Sequence, residues 1–269
     1  MRELVLIFTF NLFIELILKF LPYKLSTYKK PLFIYLPGMD GSGKLLQNQR
    51  HLRDFFEVRC FSFSQERATS WEIFVTKIVE FLEGELQVYS HKQIYLCGES
   101  FGACIALKLI EQIPRLFDKV ILINSASSFY RRNWLNVGSY VTRFMPDFVY
   151  YGSALVLFPF LANIDAIAPR ERAALLKALQ SLSPSTVSNR ISLLNKFILN
   201  VEKVKAFSSQ VLIVASQKDN LLPSVDEAYR LKHIFPNSRV SILPHSGHCC
   251  LLEKKVNLVK IMQQSLFLN

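Results

Sequence analysis

The sequence predicts an α/β fold: a mostly parallel sheet with helices on both faces and a helical cap inserted into it. Three observations predict this. Short β-branched and aromatic runs alternate with amphipathic helical patterns from residue 31 onward, the signature of strands joined by crossover helices. One interval, 127–209, breaks that alternation and is helical and aromatic throughout. With 269 residues, the chain can also bury roughly three quarters of its unfolded surface, so it needs no disulfide or metal staple.

The elements follow in order. Pro31 leads into "LFIYLP", a buried strand, and then into the glycine-rich turn "GMDGSG" at 38–43. A helix pattern runs over about 44–55, and "FEVRCFSF" alternates as a strand. Ser70 caps a helix over about 71–88. "QIYLCG" is a strand; a turn around Ser100 and a helix to residue 113, stopped by Pro114, come after it. "KVILINS", "VLIVASQKD" and "RVSILP" are further strands, with a helix over about 223–234 and a last helix over about 251–266. The expected division is an N-terminal apolar helix at 1–30, a core at 31–126 and 210–269, and a cap at 127–209.

Composition narrows the function classes. Lys and Arg exceed Asp and Glu to give a net charge of +11, and 51% of the residues are hydrophobic. The basic residues are dispersed, with no basic stripe interleaved with aromatics, so nucleic acid is not an expected partner. An anionic lipid surface suits the joint basic and apolar character better. Within 4–22, Asn11, Glu15 and Lys19 recur every four residues, making one narrow polar stripe on a helix. Such a helix suits seating on a membrane or in a groove, with packing on the protein's own surface as the other reading. Two charges make it a costly spanning segment, and it lacks a cleavage signal. Cys60, Cys97, Cys104, Cys249 and Cys250 follow no paired spacing; they read as free thiols in a reducing, cytoplasmic setting, with no metal or other cofactor expected.

The stretch "CGESFGA" carries the chemistry. A hydroxyl becomes a nucleophile only when a base removes its proton. A G-x-S-x-G turn between strand and helix projects Ser100 from the carboxyl edge of a sheet. The acid and histidine should then follow in that order, each past a later strand. Asp219 ends "VLIVASQKD", whereas Asp226 falls inside a helix pattern. In "SILPHSGHCCLLE" His248 is favoured over its competitor His245, which sits directly after the strand and Pro244. His51, His91 and His233 lie in helical contexts that read as surface. An oxyanion hole needs the amide after the nucleophile, Phe101, and one from an early loop, where "LPGMDGSG" offers Met39. That loop could also be a plain turn, and it lacks the Walker spacing of a phosphate cradle. Asp40 reads as turn-stabilising, and Glu99 as directed away from the chemistry.

From Pro31 onward the chain resembles the α/β-hydrolase fold family. "LPGMDGSG", "FEVRCFSF", "GESFGACIAL" and "ILINSASSF" resemble the hydrolase half of the plant esterase/lipase/thioesterase group that includes the phytyl ester synthases. The resemblance implies Ser100 as nucleophile, Asp219 as acid and His248 as base. It also implies acyl substrates such as fatty acyl thioesters, galactolipids or phytyl esters. The plant proteins continue into a lipid acyltransferase domain, whereas this sequence ends at Asn269, so hydrolysis is expected ahead of acyl transfer. Cap aromatics, Trp134, Phe144 and Phe148 among them, either line an acyl channel or form the cap's own core. The expected function is hydrolysis of hydrophobic carboxylic esters or thioesters through an acyl-enzyme. Acyl transfer to a long-chain alcohol is the enzymatic alternative, and a non-catalytic lipid-binding scaffold the alternative of another class.

Overall fold

A computed structural model describes residues 17–21, 30–64, 70–87, 93–131 and 158–268. Its strands are β1 (Ile17–Phe20), β2 (Leu32–Leu36), β3 (Glu57–Ser64), β4 (Ile94–Glu99), β5 (Lys119–Ile123), β6 (Gln210–Ser216) and β7 (Ser238–Leu243). They form one sheet in the order β1-β3-β2-β4-β5-β6-β7. Every pairing is parallel except β1 with β3. The helices are α1 (Leu52–Phe55), α2 (Trp71–Gln87), α3 (Phe101–Gln112), α4 (Pro169–Gln180), α5 (Pro184–Asn195), α6 (Val201–Lys205), α7 (Ser224–Ile234) and α8 (Leu258–Gln264).

The strand residues explain the layering. β2 and β5 are buried at every position, as parallel strands covered on both faces must be. Alternate residues serve opposite cores: Leu32, Ile34 and Leu36 join Leu96, Val120 and Ile213 against α2 and α3. Phe33 and Tyr35 join Cys97, Ile121 and Val214 against α1 and α8. The chain leaves β2 toward β3 on one side and returns to β4 on the other. That reversal is a topological switch point at the carboxyl ends of β2 and β4, where open α/β sheets place their ligands.

Three expectations are corrected. The helix expected through 4–22 fails where the chain is described. Ile17–Phe20 is a strand, registered from Ile17 against Ser64 to Phe20 against Phe61. Leu18 and Phe20 pack on the core while Lys19 is exposed, a period of two rather than 3.6. The ring of Phe20 meets Phe61 and Phe81 at 5.9 and 5.3 Å, and the strand covers an otherwise unpaired edge of β3. The rest of 4–22 lies outside the described residues. The helix expected over 44–55 is a 3-10 segment, Lys44–Asn48, followed by the short α1. Gln49 interrupts it: its amide donates to the carbonyls of Leu251 and Val256 and accepts from the Leu258 amide. The helix expected over 251–266 is likewise a 3-10 turn, Cys250–Leu252, and then α8, which Asn257 caps through the Lys260 amide. Among the described residues of 127–209, α4 to α6 are helices. No helix of the described residues is long and apolar enough to cross a membrane.

Candidate active site

Ser100 stands between β4 and α3 with φ 54° and ψ −112°. This left-handed strain for a non-glycine residue is the kind that persists where surrounding structure over-determines it. Its amide donates to the Ile123 carbonyl at 2.9 Å, and its carbonyl accepts from Ala103 and Ala126. The flanking glycines answer to close packing. A Cβ on Gly98 would sit 2.4 Å from the Gly102 carbonyl oxygen, and one on Gly102 2.1 Å from that of Leu36. Helix α3 therefore starts hard against β2, with Ser100 at the carboxyl edge of the sheet.

The residues expected to act together do meet. Ser100 Oγ donates to His248 Nε2 at 2.9 Å, and His248 Nδ1 donates to Asp219 Oδ2 at 2.7 Å. His248 is buried and Ser100 half-buried. Asp219 Oδ1 accepts from the Leu221 and Leu222 amides at 2.9 Å, and Oδ2 also accepts from Ser224 Oγ. Burial raises the Asp219 pKa, but His248 and these donors outweigh it and hold the carboxyl below its ordinary value. Burial works against the charged imidazole of His248, yet the attraction and hydrogen bond of Asp219, with Glu99 adding to them, raise its pKa above the ordinary 6.5. The two shifts agree: the pair favours imidazolium beside carboxylate.

The competing residues stand apart. His245 is exposed and Asp226 is exposed on α7. His51 and His233 are on the surface, while His91 lies outside the described residues. Glu99 is buried and accepts from the Tyr35 hydroxyl rather than joining the Ser100–His248 contact; burial pushes it up to about 7, with Tyr35 and His248 opposing. Among the described residues no group of His, Cys, Asp and Glu is arranged to hold a metal. All five cysteines are free, and burial pushes the Cys97, Cys104, Cys249 and Cys250 thiols well up, away from the reactive thiolate.

The glycine-rich loop abuts the serine. A Cβ on Gly38 would lie 3.6 Å from that of Ser100. Gly41 N–H closes a turn on the Gly38 carbonyl at 3.0 Å, which leaves the Met39 amide unused by the turn. Phe101, the first residue of α3, has an amide with no intrahelical acceptor. Asp40 accepts from the Ser42 amide at 2.9 Å and from its hydroxyl, the turn-stabilising part expected of it. Trp134, Phe144 and Phe148, the expected substrate contacts, lie outside the described residues.

Sequence reasoning missed the supports behind these groups. Asn124, at φ 43° past β5, accepts from the Ser216 amide at 2.8 Å and donates to the His248 carbonyl at 2.6 Å. It ties the end of β6, just before Asp219, to the loop that carries His248. An asparagine ending a buried strand, tolerant of left-handed φ, is its one sequence signal. Glu253 accepts from the Gly247 amide at 2.8 Å and fixes the histidine loop. The cap returns onto that same loop, with the Cys249 amide donating to the Leu161 carbonyl at 2.8 Å.

Comparison with known proteins identifies the family and the fold. The alpha/beta hydrolase fold family profile matches residues 36–255. Phytyl ester synthase 1 of Arabidopsis thaliana, a chloroplastic protein, is 28% identical over 256 residues, covering 87% of this chain and 36% of the relative. This chain thus spans little more than a third of that relative's length. The pimeloyl-[acyl-carrier protein] methyl ester esterase of Nitrosomonas europaea is 26% identical, over 58% of this chain and 65% of its own. Among solved structures, the enol-lactonase of Burkholderia xenovorans superimposes with a TM-score of 0.73 at 12% identity, covering 93% of this chain and 96% of that one. That likeness is one of fold.

Proposed function

The chain belongs to the α/β-hydrolase fold family, and from that premise we propose that it is a serine hydrolase cleaving carboxylic esters or thioesters of hydrophobic acyl groups. One observation carries the reading: the unbroken hydrogen-bonded path from Ser100 Oγ through His248 to Asp219. His248 Nε2 takes the hydroxyl proton as Oγ adds to the substrate carbonyl carbon. The Met39 and Phe101 amides receive the oxyanion, each donor contributing about 3 kcal/mol in the transition state. As the tetrahedral intermediate collapses, His248 returns its proton to the departing alkoxide or thiolate. Water, activated by the same imidazole, then attacks the acyl-enzyme and releases the acid. Asp219 fixes the tautomer and stabilises the imidazolium throughout. Acyl transfer to a long-chain alcohol in place of water is the second reading, favoured by the similarity to a phytyl ester synthase.

A panel of p-nitrophenyl and thioesters of increasing acyl length tests the proposal. Turnover should rise from acetyl toward medium and long chains, and added phytol should yield ester product only under the transfer reading. No turnover of any member would refute hydrolysis, and a flat profile would refute the preference for hydrophobic acyl groups.

A pH profile follows from the electrostatics. His248 must be neutral to accept a proton, and its pKa lies above 6.5. The acid limb of kcat/KM should therefore fall off above that value as pH decreases. Asp219→Asn removes the attraction and leaves burial in control, so the limb should move to lower pH while kcat drops by about 10⁴. A limb unmoved by that substitution would show that some other group titrates.

A further inference from the structure

Helix α5 of the cap carries a buried cation where an apolar residue would pack at no desolvation cost. Arg190 is 1% exposed, and burying a guanidinium is unfavourable unless its donors are used. Nη1 donates to the Met39 carbonyl and Nη2 to the Phe63 carbonyl at 3.3 Å. The guanidinium also lies 4.7 Å from the Phe63 ring centroid, in cation–π range. Gly41 makes the room: at φ +63°, its Cβ would stand 2.9 Å from both terminal nitrogens.

One turn along α5, on the same helical face, the Leu193 carbonyl accepts from Trp71 Nε1 at 2.6 Å. Trp71 stacks on Phe101 with centroids 5.3 Å apart and planes at 29°. Phe101 meets Phe63 at 6.0 Å, closing the circuit beneath Arg190. The two contacts of α5 thus end on Met39 and Phe101, the residues whose amides receive the oxyanion in the function proposed above.

We infer that α5 is a positioning element of the oxyanion hole, with Arg190 and the Trp71–Leu193 contact as its two grips. The inference rests on the serine-hydrolase reading. Arg190 touches neither serine nor base; it fixes the peptide that follows the Met39 amide, while Trp71 packs on the side chain of Phe101, whose backbone amide is the second donor. Removing either grip lets a donor drift from the place where negative charge develops. That costs transition-state stabilisation and leaves ground-state binding nearly unchanged.

The test uses the whole chain and three variants, Arg190→Met, Arg190→Lys and Trp71→Phe. Each is assayed for kcat and KM on p-nitrophenyl butyrate and for Ki against an alkyl trifluoromethyl ketone. Ser100 Oγ adds to that ketone carbonyl, its proton passes to His248, and the resulting hemiketal oxyanion reports the hole directly. For Arg190→Met, kcat should fall roughly 10- to 100-fold with KM within about threefold, and Ki should rise by the same factor as kcat/KM falls. Arg190→Lys should recover part of the loss. Trp71→Phe, which keeps the stacking but loses the N–H donor, should show the same pattern with a fall in kcat of roughly 3- to 10-fold.

A merely structural role would lower the melting temperature and leave kcat and Ki alone. Folded variants with kcat and Ki within about twofold of the parent would overturn the inference. If Arg190→Met does not fold, Trp71→Phe decides by the same criteria. A parent chain that neither turns over the ester nor takes a fluorophosphonate sinks the hydrolase reading, and this inference with it. A parent that does both, beside variants that match it, sinks only the inference.

Discussion

Ser100→Ala is expected to leave a folded chain whose ester turnover is lower by roughly a million-fold. The substitution removes one atom. The backbone contacts of residue 100 with Ile123, Ala103 and Ala126 persist, and the lost side-chain hydrogen bond is the one to His248. The melting temperature should therefore stay close to the parent's, while covalent labelling by a fluorophosphonate disappears. Under the proposed mechanism, what survives is the oxyanion hole and substrate binding, which hold a residual advantage of roughly 10³ to 10⁴ over water. The same pair of proteins separates the enzymatic reading from a binding scaffold. A scaffold predicts that parent and variant bind acyl ligands alike and that neither turns them over. Turnover by both at one rate, or labelling of the variant at the parental level, would mean that the nucleophile is another group.

The part of this site that is legible in the sequence is the part fixed by local rules. G-x-S-x-G is readable because the turn and the sheet-to-helix approach constrain neighbouring positions, and both constraints are satisfied at Gly98 and Gly102. Asp219 and His248 are readable because each follows a strand whose β-branched run is unmistakable, and sheet order then brings those strand ends to one rim. Arg190, Trp71 and Asn124 escape such reading. Arg190 acts on a carbonyl 151 positions away and Asn124 on one 124 away, and no local pattern announces either contact. The error at Ile17–Phe20 has a different origin. An apolar run with sparse polar residues fits periods of two and 3.6 alike, and the free edge of β3 decides between them. Gln49 shows a third route: its segment has helical patterning, but three hydrogen bonds to the Leu251–Leu258 stretch outweigh it.

Gly102→Ala should have the largest effect on folding and function together. The new methyl would lie 2.1 Å from the Leu36 carbonyl oxygen and 2.6 Å from both the Leu36 carbonyl carbon and the Pro37 oxygen. All of these are backbone atoms, so no side chain can swing aside. Either α3 must back away from the sheet, carrying Ser100 with it, or the end of β2 must move, carrying the loop to Met39. Both displace Ser100 Oγ relative to the amides proposed as oxyanion donors, and a misplacement of about 1 Å is enough to cost roughly 100-fold in rate. Stability should drop by about 4 kcal/mol or more, the range reserved for changes that a packed core cannot absorb. Gly84→Ala in α2 is the matching control, because a methyl there meets no atom within 4 Å. It should stabilise the chain by about 0.5–1 kcal/mol through helix propensity and leave turnover unchanged. Urea unfolding and ester assays on the two variants measure both predictions. If Gly102→Ala melted and turned over like the parent, α3 could not start as close to β2 as described, and the strained serine turn built on that closeness would lose its physical cause.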